Sequence, residues 1–220
     1  MKKYLSVLKK CILFSEIKEE NLLFMMNCLG AKVRRFEKKE AVFSAGEPAE
    51  QIGIVLSGSV QIDQTDYYGN RSVLSNVYAG EVFAEAFACA SVEYLPISVV
   101  ANEACEIMTV KCSNVLHMCN KSCAFHQKLI FNLMTELAKK TVTFHERIAT
   151  TSKRTTRDKL MTYLTFCAQK NGTDSFTIPF DRQELADYLE VDRSGLSSEI
   201  GKLRKEGKLE SNRKYFKLLK

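Results

Sequence analysis

Apolar residues at the start of the chain recur at helical steps: Leu5, Leu8 and Ile12, then Leu22, Leu23, Met25, Met26 and Leu29. A break near Ser15 divides them, and the spacing predicts two short helices. From Ala31 the period shortens. Residues 31–36, 40–43, 51–56, 59–63 and 71–74 alternate or form brief apolar runs, glycines at 46, 53, 58, 69 and 80 punctuate them, and the texture continues through 97–101 and 106–110. Short strands at spacings of about ten residues predict an antiparallel β jelly-roll barrel.

At Ser113 the pattern lengthens again. Ile130, Met134, Leu137, Thr141, Phe144 and Ile148 step alternately by four and three, a coiled-coil spacing, with Leu129 and Leu133 widening the stripe. The prediction is a long helix whose apolar edge either meets a second copy of the chain or packs inward on its own barrel. In the first case these six positions form the dimer contact. Residues 150–152 read as a hinge, and 155–169 supply another helix through Leu160, Tyr163, Leu164 and Ala168, closed by a turn at 170–172.

The next stretch, 181–208, reads as two short helices and a tight turn. Asp181 with Glu184 three residues later forms a capping-box pattern, and Leu185, Ala186 and Leu189 share one face. Asp192 caps a second helix with Leu196, Ile200 and Leu203 as its buried stripe, while Arg193, Ser194, Ser197, Ser198, Lys202 and Lys205 occupy other faces. Ala186 is small where two helices must cross closely, the packing demand of a helix-turn-helix. An ordinary helical hairpin would satisfy the same spacing. The tail adds a strand over 207–210, a polar turn over 211–214 and a strand over 215–219, the pattern of a wing.

The expected class is therefore α+β: a barrel over 1–112, a dimerisation helix over 113–150, and a winged helix-turn-helix over 151–220. Composition agrees: the chain has 220 residues, 45% hydrophobic and 26% charged, as in an ordinary soluble globular protein. No apolar run is long enough for a membrane span or a signal sequence, so a cytoplasmic location is expected. The charge of +6 is uneven. Residues 151–220 hold 15 Lys and Arg against 10 Asp and Glu, leaving 17 against 16 for the rest, a bias that suits a nucleic-acid partner without requiring one.

RQELADYL, then VDRSGLSSEIGKLRKEGKL, then a short closing hairpin resemble the winged helix-turn-helix that ends regulators of the Crp-Fnr family. Residues 43–49, 54–60 and 80–85 resemble the cyclic-nucleotide-binding barrel that begins them, so the resemblance covers nearly the whole chain. It implies an effector-gated homodimer that binds palindromic double-stranded DNA and meets RNA polymerase. Arg193, Ser194 and Ser198 are expected at base edges, with Ser197 on the same helix. Arg182, Lys202, Lys205, Arg213 and Lys214 are expected at phosphates. Two departures, Glu190 in a turn where glycine is common and Ser198 where many relatives place arginine, keep a second reading open. That reading is a ligand-binding or scaffold protein of the same fold that has lost sequence-specific DNA binding.

The resemblance also implies an effector pocket at Gly80, Glu81, Val82, Phe83, Leu95, Pro96 and Ser98. Gly80 and Glu81 match the amide cradle and the ribose-binding carboxylate, although a structural turn explains them equally. Leu95 and Pro96 stand where cyclic-AMP binders carry Arg followed by Ser or Thr, and a buried phosphate without that bidentate contact is poorly held. The expected effector is thus a small molecule other than cyclic AMP.

The eight cysteines are too dispersed for a disulfide scaffold. Cys112, Cys119 and Cys123, with His117 and His126 nearby, match no zinc spacing, so no metal site is assigned. Haem or iron–sulfur sensing stays open only because some family members use such groups. Catalytic motifs such as G-x-S-x-G, the P-loop and H-E-x-x-H are absent, and no enzymatic role is expected.

Overall fold

The structure is a computed structural model that describes residues 2–116 and 124–219. Both expected N-terminal helices are present, α1 (Leu5–Leu8) and α2 (Glu19–Cys28), with single 3₁₀ turns at Lys2–Tyr4 and Ile12–Phe14. Glu19 and Glu20 lie in the first turn of α2, where they complement the helix dipole, and Leu22, Met25 and Met26 are buried.

The strand region contains β1 (Lys32–Phe36), β2 (Ala41–Phe43), β3 (Gln51–Ser57), β4 (Ser59–Thr65), β5 (Arg71–Tyr78), β6 (Val82–Phe83), α3 (Glu85–Cys89), β7 (Ser98–Ala101) and β8 (Cys105–Lys111). They form two four-stranded sheets, β1-β8-β3-β6 and β2-β7-β4-β5, with antiparallel pairing in both. These are the two layers of a jelly roll rather than a closed ring of strands.

Alternation along β3 and β8 explains why one sheet serves two cores. Ile52, Ile54, Leu56, Met108 and Val110 face α1 and α2, whereas Val55, Cys105 and Ile107 face the second sheet. A period of two puts successive side chains on opposite faces, so a sheet buried on both reads as the near-continuous apolar run seen in β3. The space between the sheets is filled. The Phe83 ring lies directly over Gly53, where an added Cβ would come within 2.1 Å of it, and Phe83 meets Phe43 at a centroid distance of 5.5 Å.

After α4 (Cys112–Leu116) comes α5 (Ala124–Thr151), a helix of 28 residues. The chain divides into two compact units, Met1–Ala138 and Lys139–Lys220, and α5 runs from one into the other. Leu129 and Leu133 are buried in the first core and Leu137 packs against it. The stretch expected to be a hinge remains helical through Thr151, with Thr150 fully buried and its hydroxyl donating to the Glu146 carbonyl.

Beyond the end of α5, the second unit consists of three helices closed by a small sheet. Its α6 (Thr156–Asn171) is capped by Thr155, which accepts from the Asp158 amide, and ends at Gly172 in the left-handed conformation. Next come β9 (Ser175–Thr177), α7 (Arg182–Leu189), α8 (Arg193–Lys205), β10 (Leu209–Asn212) and β11 (Tyr215–Leu218), the strands ordered β10-β11-β9. The wing is thus three-stranded where only a hairpin was expected. Leu185, Ala186 and Leu189 of α7 pack on Leu196, Ile200 and Leu203 of α8, and Ala186 is completely buried at that crossing.

Candidate nucleic-acid interface

Both predicted caps are formed. The Asp181 carboxylate accepts from the Glu184 amide at 2.9 Å, and the Glu184 carboxylate accepts from the Asp181 amide at 2.6 Å, completing the capping box. Asp192 accepts from the Gly195 amide at 2.7 Å to start α8. Between the helices Glu190 has φ 54, the left-handed turn expected there, reached without glycine. That conformation costs an L-residue about 1–2 kcal/mol. Neighbours hold it in place: Lys159 Nζ donates to the Leu189 and Glu190 carbonyls at 3.1 and 3.3 Å, and Arg147 lies 3.9 Å from the Glu190 carboxylate.

With Leu196, Ile200 and Leu203 buried, α8 turns Arg193, Ser194, Ser197, Ser198, Lys202 and Lys205 outward, all of them exposed. Ser194 is already half committed. Its hydroxyl donates to Asp192 Oδ2 at 2.5 Å, a bond that also holds the Asp192 carboxyl below the usual carboxylate range. An ionised carboxylate can only accept, so the Ser194 oxygen is left to accept from an outside donor such as adenine N6 or cytosine N4.

The residues expected at phosphates divide. Lys205 and Arg213 are exposed and make no ion pair among the described residues, and Arg213 sits at the wing turn with φ 51. Lys202 lies 3.3 Å from Glu199. Lys214 donates to the Pro179 carbonyl at 2.5 Å, and Arg182 is half-buried with its guanidinium stacked 5.0 Å from the Phe216 ring centroid. Burial lowers the Arg182 pKa from its ordinary value. Sequence reasoning missed Arg157 on α6, which grips α8 through two carboxylates, because nothing local marks a pair separated by 42 or 49 residues.

The residues assigned to the effector pocket do not form one cluster. Phe83 and Leu95 are buried together between the sheets, but Val82 faces the core on the other side of the partition. Gly80 adopts φ 91 and donates to the Val55 carbonyl at 2.8 Å. Glu81 is exposed, and its carboxylate accepts from the Tyr78 amide at 2.8 Å, closing its own turn. Pro96 is exposed, and the Ser98 hydroxyl accepts from the Ala45 amide at 3.1 Å. Unforeseen in the same region are Ala84, left-handed at φ 62, and the buried carboxylate of Glu85 that follows it.

The stripe on α5 is mixed. Leu137 packs inward and Ile130 is half-buried, while Thr141 is exposed and Met134, Phe144 and Ile148 are 65%, 62% and 62% exposed. Phe131 and Val142, absent from the expected set, are exposed as well. His126 is buried with Nε2 at 2.9 Å from the Asn114 carbonyl, and Cys112 lies 3.6 Å from Cys89, whose thiol burial pushes up to about 12. Among the described residues no three His, Cys, Asp or Glu side chains gather as metal ligands. Cys119, Cys123 and His117 lie outside the described residues.

Comparison with known proteins accounts for both units. Residues 33–122 match the model of the cyclic nucleotide-binding domain, and residues 158–220 match the Crp-like helix-turn-helix domain. The class is a cyclic nucleotide-binding domain joined to a Crp-like helix-turn-helix domain. The chain belongs to the Crp-Fnr family of transcription regulators, a family of regulators rather than enzymes. No curated protein sequence matches it. Among solved structures it resembles the c-di-GMP-responsive global regulator CLP of Xanthomonas campestris (18% identity, 91% of this chain and 99% of that one, TM-score 0.54). It also resembles DNR of Pseudomonas aeruginosa (19%, 100% and 95%, 0.52) and the catabolite activator protein of Thermus thermophilus (19%, 94% and 93%, 0.50). At these identities the likeness is one of fold. Among the described residues no helix is long and apolar enough to cross a membrane.

Proposed function

We propose that this chain is a sequence-specific DNA-binding regulator that acts as a homodimer on palindromic operators, with α8 as its recognition helix. The observation that carries the proposal is the arrangement of α8: an apolar stripe buried against α7, caps at its start, and Arg193, Ser194 and Ser198 on exposed faces of its N-terminal half. That end enters the major groove first in helix-turn-helix proteins. Arg193 supplies a bidentate donor suited to guanine, and Ser194 an acceptor suited to adenine or cytosine. Lys205 and Arg213 stand ready for phosphates.

The dimer reading rests on α5. Phe131, Met134, Val142, Phe144 and Ile148 expose more apolar surface along one helix than scattered surface residues account for, and a second copy of the same stripe is the occupant that family membership suggests. RNA polymerase would be the further partner of an activating complex. The sensor unit gates binding through an effector other than cyclic AMP, because Leu95 is buried among apolar neighbours and Leu95 with Pro96 offers no charge to a phosphate.

One group of contacts favours the second reading, a Crp-Fnr protein that has given up sequence-specific binding. Arg182, Lys202 and Lys214, three expected phosphate ligands, are held by partners within the protein. Mobility shifts on the DNA upstream of this chain's own coding sequence, run beside sedimentation analysis, separate the readings. A retarded complex of dimer mass at nanomolar to micromolar protein supports regulation. A protein that binds specific and scrambled duplexes equally is the second kind.

A further inference from the structure

The guanidinium of Arg157, in the first turn of α6, reaches across to α8 and touches it twice. Its Nε donates to Glu199 at 2.5 Å, and its two terminal nitrogens donate to the two oxygens of Glu206 at 2.9 and 2.7 Å. Glu199 lies on α8 and Glu206 is the residue that caps its C-terminus, seven residues on, so their backbone positions are separated by about 10 Å along the helix axis. That face flanks the buried Leu196, Ile200 and Leu203 stripe and lies about 100° round the helix from Ser198. Lys202 and Lys208 complete the charge row, at 3.3 Å from Glu199 and 3.4 Å from Glu206. Glu199 is largely enclosed, its side chain 13% exposed, and the two carboxylates hold the Arg157 pKa above its ordinary value.

A single apolar stripe leaves a helix some freedom to roll and slide, since methyl contacts are not directional. A planar fork that ties together two residues two turns apart restrains both motions. We propose that Arg157 is a positioning residue that fixes the pose of α8 and so determines base specificity without touching DNA. This rests on the reading of α8 as the recognition helix. It also departs from what the basic run Lys153, Arg154, Arg157 suggests at first sight, namely one more phosphate contact.

The two roles give opposite signatures in the full-length protein, tested on a duplex that the wild type has selected from a random pool and on its scramble. For a strap, Arg157→Lys and Arg157→Met lower the ratio of matched to scrambled affinity by about tenfold, the worth of one good base contact, while the salt slope stays unchanged. Glu206→Gln does the same, although removing a negative charge should by simple electrostatics tighten binding to every sequence. For a phosphate contact, Arg157→Met weakens both duplexes alike and lowers the salt slope by about one unit, Glu206→Gln strengthens both, and the proposal is overturned. Hydrogen exchange without DNA gives an independent reading. The strap requires faster exchange across 193–205 in Arg157→Met with α7 unaltered, and unchanged exchange there contradicts it. A wild type that discriminates between no duplexes would defeat the DNA reading, leaving exchange to decide whether Arg157 fixes α8.

Discussion

The space between the two sheets of the N-terminal unit and the exposed side of α8 are both places where a ligand is expected from the residues, and they leave different shares of their polar groups free. In the N-terminal unit, Glu81 closes the turn that carries it, Ser98 accepts from a loop amide, buried Asp63 is paired with Arg71, and Phe83 fills the cleft over Gly53. On α8 and the wing, Arg193, Lys205 and Arg213 stand exposed and make no ion pair among the described residues. A polar group satisfied within its own chain must break a bond before it can hold a ligand, whereas a solvated cation exchanges only water and counterions. This is why the second region declares its chemistry and the first does not.

The sharpest way to break the contrast is to empty the cleft between the two sheets. Phe83→Ala should destabilise the protein by about 3–5 kcal/mol in denaturant unfolding, because its ring packs against Gly53 and Phe43 and a cavity would remain. A loss under about 1 kcal/mol would mean that the side chain borders a space already open to ligand. On the DNA side the expected effects are smaller and divide by role. Arg193→Ala should cost about 1–3 kcal/mol of binding and relax preference at one base pair, while Arg213→Ala should weaken all sequences alike and lower the salt slope by about one unit. Fluorescence titrations at several salt concentrations distinguish them, and identical behaviour of the two variants would mean that α8 lies elsewhere on the duplex.

The smallest effect is that of acid. Arg157 holds the Glu199 and Glu206 carboxyls below their ordinary value of 4.5. A depressed carboxylate contributes stability that is fully present above its unfolded value and is lost as pH falls through the folded one. The melting temperature of the C-terminal unit should therefore drop below pH 4.5 through these groups, and Arg157→Met should flatten that dependence. Differential scanning calorimetry across pH 3 to 6 checks the sign.

The contrast also explains what could be read from residues alone. Alternation disclosed strands with one inward face and brief apolar runs those buried on both, and the caps at Asp181 and Asp192 announced α7 and α8 because capping is a local bond between neighbours. Even the strained turn at Glu190 was legible, since a tight turn between two capped helices leaves few backbone conformations. By contrast β6 has two residues, too few for any period, and the left-handed Ala84 beside it carries no turn signature. The strand β9 is defined by pairing with β11 some forty residues on. Whether Leu137 faces inward depends on which surface lies opposite, which a heptad spacing does not encode. The contacts that hold Arg182 on Phe216 and Arg157 on α8 join distant segments, and charge alone suggested that such residues were waiting for phosphates.

All of this turns on whether α8 reads DNA as one of a symmetric pair. Selection by the full-length protein from a pool of random duplexes measures that directly. Enrichment of inverted repeats, with half-site centres one helical turn or about 34 Å apart, is the predicted outcome. A pool that stays random after repeated rounds, or that converges on sites without two-fold symmetry, would contradict it.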